Sequence, residues 1–239
     1  RSTADLNYRN AINLGDENDS APVGTRVCLY KDEGIYTPDE NNQLPYIPNG
    51  YTAVDGTMED GFVIADQVGN EYVWVEVPQT VAVYPTAGLS ISAFTEEEFG
   101  QIAADLKTYT SAYNNANIFS GTNFVDEYSG NVDATGLTET QYNTLKKKML
   151  KSIYINGGFY VARYEAGVTE ETSTDVVIRR NAYAYGTSCK NAQTISSNFA
   201  PEGYISSLMF GVQWDLVLKY IEINEKSQAD ILNSTGWGN

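Results

Sequence analysis

The reactive side chains of this sequence are few, and they restrict its chemistry before any fold is considered. The 239 residues contain two cysteines, Cys28 and Cys189, and no histidine. Histidine is the usual general base near neutral pH and the commonest zinc ligand. Catalysis by Ser-His-Asp or Cys-His groups, and metal chemistry based on histidine, are therefore excluded for these residues.

The two cysteines allow two interpretations. A disulfide between Cys28 and Cys189 would close a very long loop and would stabilise the fold by several kcal/mol. Two free, buried thiols are equally consistent with the sequence. The sequence does not decide between the two.

Tyrosine is unusually frequent, with 18 residues in the chain. Loops rich in Tyr, Asn and Ser are typical of adaptable recognition surfaces, because Tyr gives a large contact area at a low entropic cost. Four tyrosines fall in stretches that we predict to be polar loops, and they are the candidate ligand-binding residues: Tyr113, Tyr128, Tyr183 and Tyr185. The ordinary alternative is that each of these rings packs within a sheet.

The charge balance is strongly acidic, with 15 basic and 31 acidic residues and a net charge of −16. Such a chain is unsuited to nucleic acid, which requires a basic surface. A high net charge favours solubility and fits an extracellular setting. We predict no nucleic-acid partner.

Two oxygen-rich clusters are candidates for calcium: Asp16, Glu17 and Asp19, and Asp55, Glu59 and Asp60. Calcium prefers carboxylate and carbonyl oxygens, but neither cluster has the twelve-residue EF-hand pattern with its closing Glu. Turns built on Asp and Asn side chains explain both clusters without a metal. We therefore predict no cofactor and no metal ligand, with calcium left open.

Three helices are predicted to position these residues, over 95–108, 138–153 and 210–222. Thr95 with Glu98 and Thr138 with Gln141 each form a capping box at the start of a helix. Apolar residues then recur with the helical period of 3.6 residues. The third helix is apolar on most sides, and its polar stripe predicts a surface ion pair between Asp215 and Lys219.

Strands are predicted between the helices, and the central one covers 158–165. Its residues alternate between two faces and are rich in aromatic and β-branched types. Shorter strands are expected near 26–30, 51–56 and 176–178, and a hairpin over 61–77. Together the elements predict an α+β domain over 26–239 with a small, mainly antiparallel sheet, about three helices and long irregular loops at 110–136 and 180–203. Residues 1–25 are polar and predict an N-terminal arm or connector.

Five short segments occur in a characteristic order: IPNGY at 47–51, GNEYVWVEVP at 69–78, GGFYVARYEAG at 157–167, residues 208–214, and the final Trp-Gly-Asn at 237–239. In this order they resemble a group of Gram-positive bacterial surface proteins with a C-type-lectin-like domain. That domain is similar to the formylglycine-generating enzyme, or sulfatase-modifying factor, and many members carry a pilin-like N-terminal helix. The resemblance covers about a quarter of the chain.

The resemblance implies a C-type-lectin-like fold but does not carry enzyme chemistry with it. Formylglycine-generating enzymes depend on a reactive cysteine pair in their C-terminal part, and this chain has no such pair. In the resembling group further strands follow the Trp-Gly-Asn motif. We therefore expect either more polypeptide or a neighbouring chain to cover the last helix around Leu216, Tyr220 and Trp237.

These observations favour a non-enzymatic extracellular binding, adhesion or display domain of a bacterial cell-surface or pilus-like protein. Its partner would be a protein or a carbohydrate at the cell surface. A structural subunit of a surface filament that assembles with itself is the alternative, and an enzyme of the formylglycine-generating superfamily is the third reading. No run of about 18 apolar residues predicts a membrane span.

Overall fold

The computed structural model describes residues 26–32, 45–57, 61–114, 126–128, 130–170, 173–183 and 187–224. These residues form an α+β fold built on one six-stranded sheet, with a second sheet of two short strands. The predicted fold class and its mainly antiparallel sheet are confirmed. Residues 1–25 lie outside the described residues, so the predicted arm stays a prediction.

The strands are β1 (Val27–Lys31), β2 (Tyr51–Asp55), β3 (Val63–Asp66), β4 (Glu71–Glu76), β5 (Gly158–Ala162), β6 (Gly167–Val168), β7 (Val176–Val177) and β8 (Tyr204–Leu208). The large sheet has the order β2-β3-β4-β5-β1-β8, and each neighbouring pair is antiparallel. The first strand of the sequence therefore lies between two of the later ones. Strands β6 and β7 pair separately.

The helices are α1 (Glu96–Tyr109), α2 (Ser111–Asn114), α3 (Val132–Thr135), α4 (Glu139–Asn156), α5 (Cys189–Ser196) and α6 (Gly211–Asn224), with a 3-10 turn at Ser197–Phe199. The described residues thus hold six α-helices, whereas the sequence predicted about three. The three predicted helices are confirmed as α1, α4 and α6. The three that were missed are short, and they lie in the stretches predicted to be irregular.

The capping signals explain why α1 and α4 begin where they do. The Thr95 hydroxyl accepts a hydrogen bond from the Glu98 N–H, and the Glu98 side chain accepts one from the Thr95 N–H. Thr138 and Gln141 form the same reciprocal pair at α4. Each box satisfies two of the backbone donors that a helix start leaves without intrahelical partners.

Strand β5 lies inside the sheet and is buried along its whole length. Its alternating residues divide between two hydrophobic clusters, one on each side of the sheet. Phe159 and Val161 belong to the first cluster, and Tyr160 and Ala162 to the second. The prediction of a two-faced strand is therefore confirmed, although the strand ends at Ala162 rather than near residue 165.

The first side of the sheet is the helix-covered face. The valines of β4, Val73 and Val75, pack there with Ile102 of α1, Ile153 of α4 and Val217 of α6. All five are fully buried. This layer of helices on one side of an antiparallel sheet is the usual way for an α+β fold to build its core.

The second side of the sheet is the aromatic face. Its cluster is centred on Tyr72, Trp74 and Tyr160. Within the described residues, the other members of the cluster come from strands, loops and the 3-10 turn, and none comes from an α-helix. This face is therefore covered mainly by loops, and the short helix α5 lies against one part of it, where Ala192 and Ile195 line a small gap with Val27.

Helix α6 is covered by this chain itself. Leu216 is 2% exposed and Tyr220 is 4% exposed. The expectation that either more polypeptide or a neighbouring chain must cover these two residues is therefore wrong, because α1, α4 and the sheet share a cluster with them. Trp237 lies outside the described residues.

The predicted pair between Asp215 and Lys219 is also not formed. The Lys219 ammonium contacts Glu222 instead, at 3.0 Å. No helix among the described residues is long and apolar enough to span a bilayer.

Candidate ligand-binding site

The four tyrosines predicted to bind a ligand do not share one surface. Tyr113 is 5% exposed, and its hydroxyl donates to Glu222 Oε2 at 2.8 Å. Burial, followed by the contact with Glu222, raises the pKa of Tyr113. This ring belongs to the core at the end of α6, so its assignment to a polar recognition loop is wrong.

Tyr128 and Tyr183 lie elsewhere. The Tyr128 ring is 6.0 Å from the Tyr142 ring, close to Asp126, which caps the first turn of α6. Tyr113 contacts Glu222 in the last turn of this 14-residue helix, which is roughly 20 Å long. Tyr113 and Tyr128 therefore lie near opposite ends of α6. Tyr183 is 46% exposed and pairs through its backbone with Val168 of the small sheet. Tyr185 lies outside the described residues.

Both cysteines are free thiols in the structure. Cys28 is buried in β1, and Cys189 is exposed at the start of α5. Burial raises the pKa of the Cys28 thiol and keeps it protonated. The structure therefore agrees with the interpretation of two free thiols rather than a disulfide, although only Cys28 is buried.

The two acidic clusters give no calcium site that the structure describes. Asp55 is engaged in other contacts, because its carboxylate pairs with Arg163 at 3.0 Å and accepts from the Gly56 N–H. The other residues of both clusters lie outside the described residues. Across the part of the chain that is described, no three acidic or cysteine side chains gather as metal ligands.

The structure reveals a different group of aromatic residues around a shallow cleft. The cleft lies where β1 ends and where β5 and β8 begin, and its open space, including the mouth, is about 290 Å³. Its lining residues are mainly aromatic: Leu29, Tyr30, Lys31, Tyr46, Trp74, Ser152, Asn156, Gly158, Phe159, Tyr160 and Tyr204. Aromatic walls with a few polar groups are typical of small-molecule sites.

Strand register brings the cleft residues together. Tyr160 of β5 lies opposite Trp74 of β4, and their ring centroids are 5.0 Å apart in an edge-to-face arrangement. Lys31 of β1 lies opposite Tyr204 of β8. Directly opposed residues of an antiparallel pair project on the same side of the sheet. The pairing therefore places three rings and one ammonium group on the aromatic face.

Gly158 makes room for one wall of the cleft. A Cβ atom at this position would lie 2.5 Å from Trp74 Cζ2 and 2.4 Å from the Val75 carbonyl oxygen. The indole therefore occupies the space that a side chain on β5 would need. Only glycine permits so close an approach.

Tyr46 forms the outer wall and is the most exposed of the cleft's aromatic rings, at 37%. The Tyr160 hydroxyl donates to the Tyr46 carbonyl oxygen at 3.0 Å and fixes this segment to the sheet. The Tyr46 ring is nearly parallel to the Tyr204 ring, with an interplanar angle of 11° and a centroid separation of 6.0 Å. The two rings are thus stacked at the mouth.

Polar groups complete the rim. Lys31 Nζ lies 4.5 Å from the Tyr46 centroid and 5.6 Å from the Tyr204 centroid, within the range of cation–π attraction. Ser152 and Asn156 come from the last turns of α4, and the Asn156 amide donates to the Ser152 carbonyl oxygen at 3.1 Å. The cleft therefore offers ring faces, hydroxyls, an amide and one cation.

A second polar cluster lies at the start of α6, far along the same chain. The Asp126 carboxylate accepts from the Gly211 and Val212 N–H groups at 2.6 and 2.9 Å. Burial, and then the nearby Asp126, raise the pKa of Asp215 to about 7. Lys146 donates to the Asp126 carbonyl oxygen at 2.5 Å. These contacts hold residues 126–128 against the helix and explain the geometry without a ligand.

Sequence reasoning missed the cleft because its residues come from five separate segments. Trp74 and Tyr160 come to lie on one face only through the pairing of β4 with β5. Tyr204 begins a strand that was not predicted. A usable signal was present, since Tyr46 follows Pro45 and Tyr204 follows Gly203, which places both rings beside turn residues.

No protein-family model, no curated protein and no solved structure matches this chain. The resemblance to bacterial surface proteins therefore stays a hypothesis.

Proposed function

We propose that this chain is a non-enzymatic extracellular binding domain of a bacterial cell-surface or pilus-like protein, with a C-type-lectin-like fold, and that its aromatic cleft binds a saccharide. The observed α+β fold with its antiparallel sheet is compatible with that fold. The order of the five matching segments supports the assignment to the group and to the cell surface. The cleft is the observation on which the binding function rests.

The cleft suits a sugar for a physical reason. One face of a pyranose ring presents C–H groups, and these pack against the electron-rich face of an aromatic ring. The hydroxyls of the sugar need donors and acceptors, and Tyr46, Tyr204 and Asn156 are the partly exposed lining residues that carry them. The space of about 290 Å³ includes the open solvent at the mouth, so a sugar would lie across the mouth rather than inside an enclosed cavity.

Binding rather than catalysis is favoured by the chemistry of the lining. Glycoside hydrolysis requires a pair of carboxylates that flank the bond to be cleaved. The lining residues that the structure describes include no Asp and no Glu. The cysteine pair of formylglycine-generating enzymes has no counterpart either, because the two cysteines lie in β1 and α5 and only one is exposed.

A filament subunit is the second candidate, and the edge strand β2 favours it. Four of its five residues are exposed, including Val54 at 51%. An exposed edge strand can pair with a strand of another chain. Light scattering at rising protein concentration separates the two functions, because a filament subunit would associate and a monomeric binding domain would not.

An array of immobilised glycans tests the binding proposal. We expect the chain to retain at least one class of saccharide, and Tyr46→Ala to weaken that binding by about tenfold, as the loss of one stacking ring predicts. Tyr183→Ala is the matched control, because Tyr183 is similarly exposed but lies outside the cleft. Absence of all saccharide binding, or an equal loss in both variants, would contradict the proposal.

A further inference from the structure

Lys31 is the lysine of this acidic chain that lines the aromatic cleft. The described part of the chain contains five other basic residues that each contact a carboxylate: Lys147, Lys148, Arg163, Lys190 and Lys219. Among the described residues Lys31 forms no such pair. Lys146 and Lys151 also contact no carboxylate among the described residues, so Lys31 is set apart by its place at the cleft rather than by its lack of a partner.

The position of the Lys31 ammonium is nevertheless fixed by the two rings of the cleft mouth. It lies 4.5 Å from the Tyr46 centroid and 5.6 Å from the Tyr204 centroid. The strand pairing holds the lysine backbone directly opposite Tyr204. An ammonium group has three N–H donors. An aromatic face attracts its positive charge but does not accept a conventional hydrogen bond from each of the three N–H groups. Donors therefore stay available toward the cleft.

The neighbouring carboxylate does not neutralise this group. Asp32, the next residue, pairs with Lys148 of α4 at 2.8 Å, and its N–H donates to the Gly203 carbonyl oxygen. Adjacent residues of an extended strand point to opposite sides. Of the described residues that line the cleft, Lys31 alone carries a charge.

We infer that the cleft selects a saccharide that carries a carboxylate, such as a terminal hexuronic acid, with the carboxylate on Lys31 Nζ and the sugar ring against Tyr46 and Tyr204. This inference rests on the proposed function and names the class of its ligand. A hydrogen bond between an ammonium and a carboxylate is roughly twice as strong as one between neutral groups.

The charge of the whole protein limits the ligand to a single anionic group at this site. At a net charge of −16 the surface repels polyanions over the range of the Debye length. A terminal sugar acid brings one carboxylate to one cation. The free carboxylate of a peptide would satisfy Lys31 equally, but it brings no ring of C–H groups for the paired tyrosine faces.

Calorimetric titration with methyl glucuronide and methyl glucoside tests the inference, because the two probes differ only in the carboxylate. We expect the wild-type chain to bind the glucuronide about tenfold more tightly than the glucoside at low salt. Lys31→Met keeps the apolar stem and should remove that difference while leaving the glucoside affinity within about twofold. Lys190→Met, an exposed lysine outside the cleft, should preserve the difference.

The outcomes separate the inference from the proposed function. Equal binding of the two methyl glycosides would overturn the carboxylate preference and leave saccharide binding intact. Binding of neither glycoside, together with no signal on the glycan array, would overturn the saccharide function itself. Tighter binding of acetyl-glycine than of the glucuronide would show that the cleft takes peptide carboxylates, which also overturns the inference. If Lys31→Met fails to fold, as judged by circular dichroism, Lys31→Gln replaces it with the same expected loss of preference.

Discussion

The two faces of the large sheet are both buried, but different residues bury them. The helix-covered face is built from the aliphatic side chains of the strands and closed by α1, α4 and α6. The aromatic face is built around Tyr72, Trp74 and Tyr160, and its cover is mainly loops with the short helix α5. The same strands β4 and β5 contribute to both faces, because successive side chains point in opposite directions.

The difference explains why the cleft lies where it does. Helices present long, continuous apolar stripes that fill the space over a sheet and exclude ligands. Loops cover a sheet in separate patches, and they leave gaps between the patches where large rings stay partly exposed. Tyr46 and Tyr204 line such a gap. The helix-covered face therefore provides stability, and the aromatic face provides a surface for recognition.

The largest effect that tests this comparison is a cavity on the helix-covered face. Ile153 of α4 is fully buried there, and Ile178 is fully buried on the aromatic face. We expect Ile153→Ala to lower the free energy of unfolding by about 4 kcal/mol and Ile178→Ala by about 2 kcal/mol, since the cost depends on how far the surroundings can collapse. Urea unfolding followed by circular dichroism measures both values.

The matched pair of isoleucine variants makes the result decisive. Both substitutions remove the same atoms from fully buried positions, so the transfer term is common to them. A cost for Ile178→Ala equal to that for Ile153→Ala would show that the loops over the aromatic face are as rigid as the helices. The proposed division between a stable face and an adaptable face would then be wrong.

The sequence predicted the helix-covered face well, because its signals are local. The capping boxes at Thr95 and Thr138 and the period of the apolar residues mark α1 and α4 within a few residues. A hydrophobic staple also closes the start of α1, where the Phe94 and Phe99 ring centroids are 5.8 Å apart. Each of these signals depends on residues three to five positions apart, and sequence patterns report such distances directly.

The aromatic face was harder to predict, because its contacts are distant in sequence. Tyr160 donates to a carbonyl group 114 residues away, and Lys31 lies opposite Tyr204. No periodic pattern connects such positions before the strand order is known. Helix α5 was missed for a different reason. Its N-cap, Ser188, is present, but the eight-residue helix is polar on most of its surface and resembles a loop.

A smaller effect is expected where the two faces meet, at Gly158. Adding a Cβ atom would place it 2.5 Å from the Trp74 ring and 2.4 Å from the Val75 carbonyl oxygen, so the indole must move. We expect Gly158→Ala to lower the free energy of unfolding by about 3 kcal/mol, in the range of overpacked sites. The same variant should weaken saccharide binding, because Trp74 lines the cleft.

Gly100 offers the control for that substitution. It lies in the middle of α1, and a Cβ atom there would meet nothing within 4 Å. Gly100→Ala should therefore stabilise the protein by about 1 kcal/mol, the ordinary helix-propensity gain. If Gly158→Ala is tolerated as easily as Gly100→Ala, the close contact between Trp74 and β5 does not shape the cleft wall.

The smallest effect concerns the edge of the helix-covered face, where a carboxyl group interrupts an otherwise apolar layer. Burial, and then Asp126, raise the pKa of Asp215 to about 7, from an ordinary value of 3.8. Below pH 4 the group is protonated in both the folded and the unfolded state. Between pH 4 and 7 the folded state retains a proton that the unfolded state has lost. The stability of the protein therefore falls as the pH rises through this window, and it levels off above pH 7.

Asp215→Asn should remove that pH-dependent loss, because an amide has the same shape and does not ionise. A shift of one pKa unit corresponds to about 1.4 kcal/mol, and screening at this half-buried site reduces the total, so we expect the variant to be more stable than wild type by about 1–2 kcal/mol at pH 8. At pH 4 the two proteins should unfold at nearly the same urea concentration. Asp133→Asn, on the exposed helix α3, is the control and should leave the difference between pH 4 and pH 8 unchanged. If the Asp215→Asn protein keeps the full pH dependence of wild type, the loss of stability between pH 4 and 7 comes from other groups. Asp215 would then not be the ionising group at the edge of the helix-covered face.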